Sequence, residues 1–116
     1  MNRLLTLGLV ALALAGCAND PAPSEQMRLS TQAVEQARAV GADQQIEEMQ
    51  QAEQKLARAE KNMGEEDYKR ARVFAEQAEL DARLAEAKVL SQKSQKQLDE
   101  LNARITRLRK QLGELP

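Results

Sequence analysis

From Asp67 to Leu112 the chain runs without a glycine or a proline, the two residues that most readily break a helix. At 1.5 Å per residue, one uninterrupted helix over this span is roughly 70 Å long. Its apolar residues change in size along the way. Tyr68, Ala71, Ala75, Ala78, Ala82, Ala85 and Val89 recur at spacings of three and four and form an alanine seam. Such a seam lets another helix approach closely but gains little apolar area per residue. Leu98, Leu101, Ile105, Leu108, Leu112 and Leu115 then continue as a strict three-four repeat of larger residues, the pattern of a coiled-coil seam.

Two shorter helices are predicted ahead of it. Ser24 or Ser30 is a candidate cap for a first helix reaching about Val40, with Met27, Ala33, Val34, Ala37 and Val40 on or near one face. Gly41 can take the left-handed conformation that ends it. Asp43 is the candidate N-cap of a second helix carrying Ile46, Met49, Ala52, Leu56, Ala59 and Met63 at helical spacing, and Gly64 is expected to stop it. Glu65, Glu66 and Asp67 then put negative charge where the third helix starts and its dipole favours it. No alternating apolar run and no Asn-Gly or Asp-Gly hairpin turn is present. The expected fold class is therefore all-α: a helical hairpin or three-helix body with one long C-terminal helix ending in a coiled-coil-like tail. The second helix is too short to cover both seams. In a hairpin with the third helix, it leaves the leucine segment extending beyond and pointing away from the N-terminal end, so a partner is expected there.

The first residues read as an export signal of the bacterial lipoprotein type. Arg3 supplies a positive start, and Leu4 to Leu14 form an apolar stretch of about eleven residues, within the usual signal range. A bilayer span needs roughly 20. Leu14, Ala15 and Gly16 then precede Cys17, the only cysteine, in the manner of a lipobox recognised by a lipoprotein signal peptidase. Cys17 would become the mature N-terminus, carrying a thioether-linked diacylglycerol and an N-acyl chain. At about 0.8 kcal/mol per buried methylene, several acyl chains make a durable anchor. Bacterial lipoproteins with aspartate directly after the cysteine stay at the inner membrane, and Ala18 in that position points to the outer membrane, with the body facing the periplasm. The expected organisation is a signal peptide over 1–16, lipidated cysteine and proline-containing linker over 17–24, an alanine-rich helical domain over 25–93 and a coiled-coil-like tail over 94–116.

Charge narrows the function classes. The formal net charge is -1 and histidine is absent, so neither bulk attraction to nucleic acid nor imidazole chemistry is indicated. Aromatics are 2% of the chain, Tyr68 and Phe74 alone, and are expected in the core. The acidic pairs around Glu47-Glu48 and Glu65-Glu66-Asp67 lack the spacing of a calcium loop and read as solvated faces or helix starts. Acids dominate from Asp43 to Asp67 and bases from Lys88 to Lys110. Arg104, Arg107, Arg109 and Lys110 serve a helix C-terminus well and are also candidates for contact with an anionic partner.

The same basic residues bear on how the leucine seam pairs. With Leu98, Ile105 and Leu112 at heptad position a and Leu101, Leu108 and Leu115 at d, Arg104 falls at g and Arg109 at e. A parallel in-register pair brings them together at a cost of a few tenths of a kcal/mol. Burial of six large apolar residues, worth roughly 1.5 to 3 kcal/mol each if complete, outweighs that. Homo-oligomerisation is thus expected to survive, while a heterologous acidic helix fits better.

The spacings Ala33-x-x-x-Ala37-x-x-x-Gly41-Ala42, Ala52-x-x-Lys55-Leu56-x-x-Ala59 and Asp67-Tyr68-x-x-Ala71-x-x-x-Ala75-x-x-Ala78-x-x-Asp81-Ala82-x-x-Ala85 resemble the bacterial lipoprotein family called domain of unknown function 4398, over about Arg28 to Lys88. The resemblance implies an envelope-anchored, periplasmic helical protein and supplies no catalytic residues. Some members carry an OmpA-like peptidoglycan-binding domain after this region. A proline-containing segment associated with the turn after Gly-Ala is replaced here by Asp43-Gln44-Gln45-Ile46. The spacing is also similar to one tetratricopeptide-like hairpin, but a single copy cannot make a solenoid.

No phosphate loop, zinc cluster or nucleophile triad is present, so an enzyme is not expected, and neither is a cofactor beyond the lipid on Cys17. The expected role is that of an outer-membrane-anchored scaffold or adaptor acting through helix–helix association, with itself or with a periplasmic helical partner. The alternative is a spacer that meets peptidoglycan non-covalently through its basic tail, since Gly113-Glu114-Leu115-Pro116 offers no lysine for covalent attachment.

Overall fold

The computed structural model describes residues 20–113. Leu14, Ala15, Gly16, Cys17 and Leu115 lie outside these residues. The described fold is all-α: α1 (Ser24–Ala39), α2 (Glu47–Gly64) and α3 (Tyr68–Gln111). At 1.5 Å per residue α3 is about 65 Å long.

The contacts between helices fix their directions. On one side of α3, Gln26 of α1 reaches Glu79 and Gln36 reaches Glu86, so α1 runs parallel to α3. On the other side, Lys55 of α2 meets Asp81 and Glu48 meets Lys88, so α2 runs antiparallel to both. Near the N-terminal end of this body, Pro21 accepts a hydrogen bond from Arg72 at the start of α3.

The interior is made almost entirely of the smallest apolar side chain. Among the described residues, ten of the thirteen buried apolar ones are alanine, including Ala71, Ala75, Ala78, Ala82 and Ala85 of the α3 seam, each with no exposed surface. Met49 and Val34 are the bulkiest fully buried apolar residues. A methyl is worth only about 0.8 kcal/mol, so stability here depends on backbones lying close rather than on large side chains. Ser30 fits the same logic. It is buried inside α1, where its hydroxyl donates to the Met27 carbonyl at 2.9 Å, and it does not cap the helix.

Helix ends explain both turns and correct the expected caps. After α1, Gly41 stands at φ +103°, its N–H bonded to the Arg38 carbonyl, while Ala42 bonds back to Ala37 and is buried. This is a Schellman end with its hydrophobic contact, and it gives the Gly-Ala pair a physical reason. Asp43 is not the cap of α2, which starts four residues later. Its carboxylate accepts from the Gln45 N–H at 2.9 Å, forming a local turn that competes with helix entry. A second Schellman end follows α2, with Glu66 bonded to Met63 and Asp67 to Asn62. The helix ends at Gly64, as expected, but the left-handed residue of the turn is Glu66, at φ +61°. Asp67 caps α3 by accepting from the Arg70 N–H.

Candidate association surface

Lys93 makes the last hydrogen bond from α3 to the body among the described residues, its ammonium donating to the Val40 carbonyl at 2.5 Å. Val89 is the last buried residue of α3, and the helix is exposed on every side from Leu90 onward. Five of the six seam residues are described, and all are uncovered: Leu98 is 52% exposed, Leu101 54%, Ile105 40%, Leu108 57% and Leu112 72%. Successive residues turn by about 100°, which gathers these five on one face.

Ahead of this row, α3 carries further exposed apolar residues that sequence reading missed. Val73, Leu80, Leu84 and Leu90 are all at least 44% exposed. Projected around α3, Val73, Leu80 and Leu84 lie roughly opposite the alanine seam, on the flank continuous with the leucines. The signal was present in the heptad phase, but Gln77, Ser91 and Ser94 interrupt it and the alanines dominate the eye.

Electrostatics separate the same two zones. In the body, Arg38–Glu53, Lys55–Asp81 and Lys88–Glu48 pair across helices at 2.6, 2.5 and 3.0 Å. Hydrogen bonding to Lys88 holds the Glu48 carboxyl below its ordinary value. Glu79 is lowered in the same way, first by Gln26 and then by Arg83. In the tail, Arg104, Arg107, Arg109 and Lys110 have no ion-pair partner among the described residues. They do not share a face: Arg104 and Arg109 flank the leucines on opposite sides, while Arg107 and Lys110 point away from them.

Tyr68 and Phe74 are only partly buried, which corrects the expectation of a core position. The Arg58 guanidinium covers the Phe74 ring at 5.6 Å, a cation–π contact at the body's edge. Among the described residues there is no cluster of His, Cys, Asp or Glu arranged to hold a metal, and no helix long and apolar enough to cross a membrane.

No curated protein matches the chain. Among solved structures, it is similar to a DUF4398 family protein from Pseudomonas aeruginosa PAO1, with 62% sequence identity and a TM-score of 0.79 over 81% of this chain and 98% of that one. The family model described as a domain of unknown function, DUF4398, matches residues 25–101, which spans nearly all of α1, all of α2 and most of α3. The chain belongs to the DUF4398 family.

Proposed function

We propose that this chain is a lipoprotein of the outer membrane, anchored through Cys17 and facing the periplasm, which acts as a scaffold or adaptor by helix–helix association along its projecting tail. The observation that carries the association is the row Leu98, Leu101, Ile105, Leu108 and Leu112, each at least 40% exposed on one face of a helix segment without tertiary cover. Helical stability in proteins comes mostly from packing of an amphipathic face, so a partner that buries the row also stabilises the segment. The anchor rests on the Leu14-Ala15-Gly16-Cys17 pattern behind an apolar stretch.

Sedimentation of residues 18–116 beside a version ending after Ser94 tests the association. A dimer or higher oligomer that needs the tail supports a self-assembling scaffold, and two monomers redirect the search to a foreign helix. Acyl labelling of Cys17→Ser should be lost, and undiminished labelling refutes the anchor. Peptidoglycan contact is the second reading, favoured by four tail cations without acidic partners among the described residues. Binding to purified cell wall should then weaken sharply with salt, whereas association through leucines should persist.

A further inference from the structure

The tail leucines and the exposed apolar residues of the body belong to one heptad frame. Taking Leu98, Ile105 and Leu112 at a and Leu101 and Leu108 at d, the frame runs back through Ser94 at d, Ser91 at a, Ala87 at d, Leu84 at a and Leu80 at d. Leu80 and Leu84 are 67% and 54% exposed, so the stripe continues along the back of α3 behind the three-helix body. The side that packs α1 and α2 is left free of it.

Charge and side-chain size distinguish the two ways a second copy can lie on this stripe. Parallel in register, Arg104 at g meets Arg109 at e of the second copy, twice, with no acid nearby in the frame. The two serine layers also fall on themselves, Ser91 on Ser91 and Ser94 on Ser94. In the antiparallel arrangement centred near Lys96, Leu80 faces Leu112 of the second copy, Leu84 faces Leu108, Ala87 faces Ile105, Ser91 faces Leu101 and Ser94 faces Leu98. Every small residue then meets a large one, as close packing requires. The pairs at e now bring Arg109 beside Asp81 of the second copy. Lys55 engages Oδ2 of that carboxylate at 2.5 Å, Oδ1 has no hydrogen-bond partner among the described residues, and 18% of the side chain stays exposed for an incoming guanidinium. Two stripes of this length offer on the order of 1,500 Å² of contact, the size class of a specific and stable interface.

We propose that a second copy of this chain docks antiparallel along the back of α3, so that the tail of each copy covers the exposed leucines of the other's body and Arg109 pairs with Asp81 across the interface. This rests on the self-association reading above and adds its geometry. Arg109→Glu separates the two orientations by sign. Antiparallel, the substitution sets a second carboxylate against Asp81 and weakens the dimer several-fold at low salt. Parallel, it relieves Arg104 and tightens the dimer. The measurement is sedimentation equilibrium of residues 18–116, which include all three helices, and Arg109 is exposed near the end of α3, away from the packed body. A single spin label at Arg107→Cys gives a second readout. Two labels on the outer faces lie roughly 35–40 Å apart in the antiparallel pair and roughly 20 Å apart in the parallel one, from the helix rise and usual interaxial distance. Weakened association with the long distance is the expected result. Unchanged or tightened association with the short distance overturns the orientation and leaves self-association standing, whereas monomers throughout overturn both.

Discussion

The first and second halves of α3 use side-chain size in opposite ways. From Tyr68 to Val89 the seam alanines Ala71, Ala75, Ala78, Ala82 and Ala85 are buried, while Val73, Leu80, Leu84 and the small Ala87 face outward. From Leu90 to Leu112 leucine and isoleucine dominate the apolar positions and none is covered. In the body, small side chains let three helices lie close, and paired charges along the edges fix how far each slides. In the tail, the large residues are held back from any internal use. The difference teaches that apolar area and internal packing are separate quantities in this molecule, and that among the described residues the large exposed apolar side chains all belong to α3 and its C-terminal end.

Several substitutions would break or sharpen that contrast. The largest effect on folding is expected in the alanine seam. Ala82→Leu forces extra methylenes into a site with no exposed surface and should destabilise by about 1–3 kcal/mol, the usual penalty for overpacking. For a body of this size that lowers the thermal midpoint by roughly 4–8 °C per kcal/mol, read by circular dichroism. A midpoint that does not fall would mean the helices are looser than the seam implies. The converse holds for the tail. Leu101→Asp with Leu108→Asp should abolish any oligomer in sedimentation while leaving the melt of the dissociated body within about 0.5 kcal/mol, as for exposed positions generally.

The two helix ends offer opposed and smaller effects. Gly41→Ala should cost about 1–2 kcal/mol because φ +103° penalises a side chain, even though an added Cβ would meet only ordinary contacts at 3.6 Å or more. Glu66→Gly should gain up to about 1 kcal/mol by relieving a left-handed non-glycine residue. Denaturant melts compare the two, and like signs would contradict the Schellman assignment of one turn.

The smallest effect concerns acid. Glu48 and Glu79 have carboxyls lowered by hydrogen-bond partners in the folded state, from an ordinary value near 4.5. Groups shifted this way add stability that is present above the unfolded value and lost as pH falls through the folded one. Acid titration of Glu79→Gln should therefore show a shallower loss below about pH 4.5 than the parent chain. An identical acid limb would remove Glu79 from that role.

Much of the fold was legible because helical spacing is a strong signal when it persists. Ala71 through Val89 mark the buried face of α3, and Leu98 through Leu112 mark a second face. Local chemistry was harder to read. Asp43 has the composition of a cap, yet its carboxylate serves the Gln45 N–H, and Ser30 has the same composition while lying buried in mid-helix. Asn62 gave no signal at all: it is buried by packing and satisfied by the Arg58 carbonyl at 2.7 Å. Gly64 drew attention away from Glu66, since a glycine two residues early is the stronger visible cue. The direction of α1 relative to α3 rests on partners such as Gln26 and Glu79, 53 residues apart, which no local pattern encodes. The stripe behind the body was readable in principle through Leu80 and Leu84, but only after the alanine face had been assigned inward.

That parallel run of α1 beside α3 has a mechanical meaning. The chain enters α1 near the start of α3, and the tail leaves from the opposite end. A pull applied between residue 20 and the tail therefore drives α1 and α3 past each other lengthwise, loading every contact from Gln26–Glu79 to Lys93–Val40 at once. An antiparallel α1 would instead peel away one contact at a time. The body is thus built to carry tension in shear, the stiffest way to load two helices that touch mainly through methyl groups.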